Sequence, residues 1–104
     1  RYGGSHFDLL GLSVETYVNG EEDAWYSSSS SEGVIVLEVK QHSIAEKNNI
    51  RRGDIIIEMD KTTITDINDY KSELDSYKKG DTIMLRIVRN YSLLYIAFEI
   101  EWYG

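Results

Sequence analysis

From Leu9 to Val18 the residues Leu10, Leu12, Val14 and Thr16 alternate with Gly11, Ser13, Glu15 and Tyr17, the two-residue period of a half-buried strand. A polar excursion follows, with Asn19-Gly20-Glu21-Glu22-Asp23, then Ala24-Trp25-Tyr26, then the serines Ser27 to Ser31. Serine runs compete for backbone hydrogen bonds and bury little, so 19–32 is expected to be a flexible insertion loop. The β-branched run Val34-Ile35-Val36-Leu37-Glu38-Val39, after Gly33, predicts a more fully buried strand. A short helix fits Ser43 to Asn48, with Ser43 as N-cap, Glu46 three residues on as the second half of a capping box, and Ile44 and Ala45 facing inward.

Asn49 then stands where the chain must turn left-handed, and Ile50 returns to the core. Arg51 to Asp54 reads as a tight turn, Ile55 to Met59 as a buried strand, Asp60-Lys61 as a turn and Thr62 to Ile64 as a short strand. A second helix starts at Asp66, whose carboxylate can cap the backbone with Asp69 three positions later, its apolar stripe formed by Ile67, Tyr70, Leu74 and Tyr77 at spacings of 3, 4 and 3, with Lys78-Lys79-Gly80 as its basic last turn and Gly C-cap. Strands Thr82 to Arg89 and Leu93 to Glu101, joined at Asn90-Tyr91-Ser92, form a hairpin.

Two helices among short strands predict an α+β domain: a small, bent antiparallel sheet or partly open barrel of about five to six strands, capped by two helices. Residues 1–6 read as a ragged start or linker, 7–101 as the domain and 102–104 as a tail.

The chain has 104 residues, enough for one core without covalent or metal support. With Lys+Arg 11 against Asp+Glu 18 the net charge is −7, and the basic residues are scattered, which argues against binding nucleic acid through its phosphates. There is no cysteine, so disulfides, thiolate zinc sites and cysteine nucleophiles are excluded. No apolar run approaches the roughly 18–20 residues of a membrane span, so membrane insertion is not expected. Lacking an initiator Met and a visible signal peptide, the sequence reads as a domain excised from a longer parent.

Catalytic chemistry is not apparent. His6 lies in the ragged start and His42 in a turn, no serine stands in a Gly-x-Ser-x-Gly elbow, and no phosphate-binding loop occurs. Glu21-Glu22-Asp23 lacks EF-hand spacing and reads as a solvated acidic loop, so neither metal nor cofactor is expected.

Binding is the better prospect. In Phe7-Asp8-Leu9-Leu10-Gly11-Leu12-Ser13-Val14 a glycine flanked by apolar residues stands at the start of a strand, where backbone N–H groups can converge on a carboxylate without a Cβ in the way. An extended peptide could then add to an open margin of that strand, with a helix as the opposite wall.

Leu9-Leu10-Gly11-Leu12 resembles the carboxylate-binding loop of PDZ domains, in the form found in bacterial HtrA-type (Do-like) trypsin-like serine proteases, and Gly33 to Val36 resembles the family's next strand. The run Ser43 to Ile56 is similar to the family's Ser-Pro-Ala-x-x-Ala-Gly-Leu-x-x-Gly-Asp-x-Ile signature, with Ile44 in place of Pro and Asn48-Asn49 in place of Ala-Gly. Ile64 to Tyr70 matches the approach to the groove helix, and Gly80-Asp81-Thr82-Ile83 to Arg89 the penultimate strand.

The resemblance implies the permuted strand order of bacterial members and a groove for extended peptides or protein C-termini. Leu9, Leu10, Gly11 and Leu12 would hold the peptide carboxylate, and Leu12, Ser13, Val14, Tyr70, Lys71 and Leu74 would line the groove. Tyr70 and Leu74 also lie on the stripe that packs against the sheet. In HtrA-type proteins the module regulates a protease domain of the same chain in envelope quality control, which implies a bacterial periplasmic or envelope location, with any hydrolysis belonging to a segment outside these residues. The alternatives are a non-proteolytic PDZ scaffold of a secretion or envelope protein, and an assembly module using Trp25, Tyr26, Trp102 and Tyr103.

Overall fold

The alternating and β-branched segments become strands of one sheet, seen in a computed structural model that describes residues 7–17 and 32–100. The elements are β1 (Leu12–Tyr17), β2 (Gly33–Val39), α1 (Ile44–Lys47), β3 (Ile55–Met59), β4 (Thr62–Thr63), α2 (Ile67–Leu74), β5 (Thr82–Arg89) and β6 (Ser92–Glu99). All pairings are antiparallel, in the spatial order β1-β2-β3-β5-β6 with β4 set against β3. β1 and β6 end the order and do not pair with each other, so the expected α+β domain is an open six-stranded sheet and not a closed barrel.

The core follows the strand period. Val34 and Val36 of β2, Ile56 of β3, and Ile83, Leu85 and Ile87 of β5 are buried, joined by Leu10, Leu12, Ile64 and Ile100. Each such side chain contributes about 1.5–3 kcal/mol relative to exposure. Along β5 the intervening residues Met84, Arg86 and Val88 face outward, as the alternation predicts.

The helices differ from expectation in their ends. At α1 the Ser43 Oγ accepts the Glu46 N–H at 3.1 Å, but the Glu46 carboxylate accepts from the His42 N–H at 2.6 Å. The reciprocal half of the capping box is displaced by one residue because the Ser43 N–H is committed to the Lys40 carbonyl at 3.2 Å. α2 begins as predicted, with Asp66 Oδ1 accepting the Asp69 N–H at 2.9 Å, yet it stops at Leu74. The Ser76 hydroxyl donates to the Glu73 carbonyl, a local bond that competes with helix continuation. Tyr77 therefore lies past the helix, and Lys78-Lys79-Gly80 belongs to the connection into β5 and not to a helical last turn.

Asp60-Lys61 forms the turn expected, and the second hairpin is one residue tighter than expected. Asp60-Lys61 and Asn90-Tyr91 are two-residue hairpin loops with positive φ at all four positions (48°, 75°, 52° and 66°), the arrangement that matches strand twist. β6 accordingly starts at Ser92. Asn49 is left-handed at φ 67°, as expected, and Ile50 plugs the core. The insertion loop lies outside the described residues except for Glu32, as do Arg1, His6, Trp25, Tyr26, Trp102 and Tyr103. Among the described residues no helix is long and apolar enough to cross a membrane.

Candidate functional site

Among the described residues β1 ends the sheet and pairs along one margin only, with β2. Across the other stands α2, tied to β1 where the Ile67 N–H donates to Thr16 Oγ1 at 3.0 Å. Between them runs a groove of about 510 Å³. β1 supplies Leu12, Ser13, Val14 and Glu15, α2 supplies Ile67, Tyr70 and Lys71, and Phe7 and Asp8 line the end where β1 begins. Leu37 reaches it from β2, whose register with β1 skips that residue between the Ser13–Glu38 and Val14–Val36 pairs.

The structure thus brings together five of the predicted groove residues: Leu12, Ser13, Val14, Tyr70 and Lys71. Leu74 is buried in the core and does not line the groove, the other duty open to the apolar stripe. Leu12 and Tyr70 serve both, each 1% exposed.

The Leu9-Leu10-Gly11-Leu12 loop is anchored from below. The Leu10 carbonyl accepts the Ala45 N–H at 2.9 Å and the Gly11 carbonyl accepts the Lys40 N–H at 2.8 Å. Gly11 has φ 90°, and a Cβ there would sit 2.2 Å from the Ser43 Cβ, so both conformation and packing demand glycine.

The amides of this loop do converge, and the group on which they converge belongs to the chain itself. Leu10 N–H and Leu12 N–H donate to Asp8 Oδ1 at 2.9 and 3.0 Å, and Gly11 N–H donates to the Asp8 carbonyl at 2.9 Å. Asp8 N–H returns a bond to the Leu12 carbonyl at 3.0 Å, and the Tyr70 hydroxyl donates to Asp8 Oδ2 at 2.5 Å. The amides assigned from sequence to a peptide carboxylate are therefore engaged by Asp8 here. Asp8 is a site residue absent from the expected set, and its sequence signal is an aspartate two residues before an amide, the pattern of an Asx-turn.

Burial raises the Asp8 pKa above the ordinary carboxylate range, against the lowering effect of the bonds from Tyr70, Leu12, Leu10 and Gly11. Burial, then the charge of Asp8 and the bond to it, hold the Tyr70 phenol well above the usual tyrosine range. Among the described residues the groove lining carries Lys71 as its cation and Asp8 and Glu15 as its anions. Among the described residues no cluster of three His, Cys, Asp or Glu could hold a metal ion, and His42 is exposed.

A family model described as PDZ domain matches residues 9–100. Among curated proteins the chain is 27% identical over 86 residues to a "Probable periplasmic serine endoprotease DegP-like" of Buchnera aphidicola subsp. Schizaphis graminum, covering 83% of this chain and 18% of that protein. It is 36% identical over 59 residues to a "Serine protease HtrA-like" of Staphylococcus epidermidis, covering 56% of this chain and 10% of that protein. The chain thus spans less than a fifth of the length of these relatives. Among solved structures, the HtrA3 PDZ domain bound to a phage-derived ligand (FGRWV) superposes with TM-score 0.68 at 19% identity, covering 86% of this chain and 81% of that one. The HtrA-type protease AlgW with decapeptide gives TM-score 0.70 at 22% identity, covering 88% of this chain and 28% of that one.

Proposed function

This chain belongs to the PDZ domain family, and from that premise we propose that it is the peptide-binding regulatory module of a trypsin-like, HtrA-type serine protease in the bacterial envelope. The observation that carries the proposal is the margin of β1 that pairs with no strand among the described residues and faces α2 across a groove of about 510 Å³. An extended segment laid there would add a strand by main-chain hydrogen bonds, with side chains resting on Leu12, Val14 and Ile67. C-terminal tails and exposed stretches of misfolded proteins have the required extended, apolar character. The protease role is supported by the relatives with serine protease names, and the envelope location by the periplasmic name of one of them.

A single added strand buries little area, so affinity is expected in the range of about 1–100 μM. Titration of a peptide library, read by fluorescence polarisation, tests the binding. Val14→Asp should weaken binding about tenfold or more while leaving cooperative melting intact, because it sets a charge on the groove wall. Equal binding by the variant would place the peptide elsewhere. The parent's role is tested on the full-length chain, where a His, Asp and Ser arranged as in trypsin-like proteases is expected, and where occupying the groove should change the rate of proteolysis.

A further inference from the structure

A nest of three backbone amides at the end of a peptide groove ordinarily gives advantage to a ligand ending in a free carboxylate, since charge-assisted hydrogen bonds are the strong ones. Here that advantage is already taken. Oδ1 of Asp8 receives the Leu10 and Leu12 amides, the Asp8 carbonyl receives the Gly11 amide, and Oδ2 receives the Tyr70 hydroxyl. We infer that Asp8 is a resident carboxylate standing where the terminus of a bound peptide would place its own, so that the groove accepts internal extended segments about as readily as free C-termini. This inference rests on the peptide-binding reading above and sharpens it to a ligand class.

Three observations support it. Asp8 is held through its N–H, its carbonyl and both carboxylate oxygens, so removing it from the nest breaks bonds on every side. Tyr70 is 1% exposed, and its hydroxyl would lose its partner in a dry environment if Asp8 left. A second carboxylate brought to the same amides would meet the first at contact distance, where like charges repel. None of these penalties falls on a segment that continues past Asp8. Such a segment gains the main-chain bonds of β1 and the contacts with Leu12, Val14 and Ile67, and asks nothing of the nest. Phe7 and Asp8, which line that end of the groove, are half-buried and not sealed.

The test uses the pentapeptide Phe-Gly-Arg-Trp-Val in three forms: free acid, C-terminal amide, and extended by Gly-Ser. The intact chain should bind the three within about threefold of one another, whereas Asp8→Ala, which frees the Leu10 and Leu12 amides and leaves the Gly11 amide on the backbone carbonyl of residue 8, should prefer the free acid by about tenfold or more. A tenfold preference for the free acid in the unaltered protein would overturn the inference.

A titration with sodium acetate, followed by the amide resonances of Leu10, Gly11 and Leu12, needs no peptide. It should shift those resonances in Asp8→Ala at concentrations that leave the unaltered protein unmoved, and equal shifts in both would overturn the inference. Failure of every peptide form on both proteins would defeat the peptide-binding reading and the ligand class stated here, while the acetate result still decides whether Asp8 fills the nest. If Asp8→Ala does not melt cooperatively, Asp8→Asn retains the Oδ1 acceptor and removes the charge. Its preference for the free acid should then rise by about threefold, and an unchanged ratio counts against the proposal.

Discussion

Arg89, at the end of β5, grips the buried Asp54 as a fork, with Nε on Oδ1 at 2.8 Å and Nη2 on Oδ2 at 2.7 Å. The same Nη2 reaches the Asn49 carbonyl at 2.8 Å, and Asp54 Oδ2 also accepts the Arg51 N–H at 2.9 Å. One ion pair thus fastens the sheet to the left-handed turn after α1.

Removing Arg89 should be costly, because Asp54 is 1% exposed and would keep an uncompensated charge. Arg89→Met is expected to lower unfolding free energy by about 3 kcal/mol, the lower end for a broken buried pair, and Arg89→Lys should recover little since an ammonium cannot reproduce the fork. Urea unfolding at pH 7 measures both. A loss within 0.5 kcal/mol, roughly that of an ordinary surface substitution, would refute the assignment.

Gly11 and Ser43 should be energetically coupled. Gly11→Ala introduces a Cβ 2.2 Å from the Ser43 Cβ at φ 90° and is expected to cost at least about 2 kcal/mol. Ser43→Gly alone weakens a helix cap and should cost only a few tenths. The double variant should be more stable than the sum of the two losses, since the clash disappears with the Ser43 side chain. Simple additivity in a thermal-melt cycle would argue against the contact.

Above about pH 10 the domain should lose stability, the pH at which a tyrosine ionises in the unfolded chain. Folded Tyr70 holds its proton well beyond that point, so the folded state binds more protons than the unfolded one and stability falls as pH rises. Tyr77, whose hydroxyl bonds to Asp60, is raised as well and acts in the same direction. Tyr70→Phe should flatten part of the alkaline decline between pH 9 and pH 11, about the span where phenols titrate.

At the acid end two aspartates act with opposite sign. The Asp69 carboxylate, which accepts the Thr65 hydroxyl and N–H, lies below its ordinary value of 3.8, so its contribution is present above that value and fades as pH falls through the folded pKa. Asp8 is raised above 3.8 by burial, so its contribution is present below 3.8 and fades as pH rises through its folded pKa. Relative to Asp69→Asn, the unaltered protein should gain stability as pH rises from the acid end. Relative to Asp8→Asn it should lose it, and Asp8→Asn should melt no lower than the unaltered protein at neutral pH.

Period and punctuation carried most of the fold. The strand at Leu12–Tyr17, the run Ile55 to Met59 and the caps at Ser43 and Asp66 each reflect a local rule that tertiary context left in force, whereas Leu9 to Gly11, expected within that strand, form a turn, and Thr16, expected to face inward, is exposed. Misreadings fell where two local rules competed. Tyr77 continues the apolar stripe, but Ser76 diverts the Glu73 carbonyl and the helix ends early. At the site, the groove walls were legible from strand and helix phase, whereas Leu74 could not be assigned between core and groove by spacing alone. The role of Asp8 is hidden by the same local pattern, because an aspartate two residues before Leu10 and an incoming carboxylate are equally good acceptors for the amides around Gly11, and spacing does not choose between them.

The paired left-handed residues at Asp60-Lys61 and Asn90-Tyr91 have a practical corollary. Lys61 and Tyr91 hold a backbone geometry that is free for glycine and costs other L-residues roughly 1 kcal/mol. Exchanging Lys61 for glycine would supply the Asp-Gly pair that such bends favour. The domain therefore carries unused thermal headroom at the solvent-facing corner of Lys61, outside the residues that line its groove, where an engineer could raise its melting point without touching recognition.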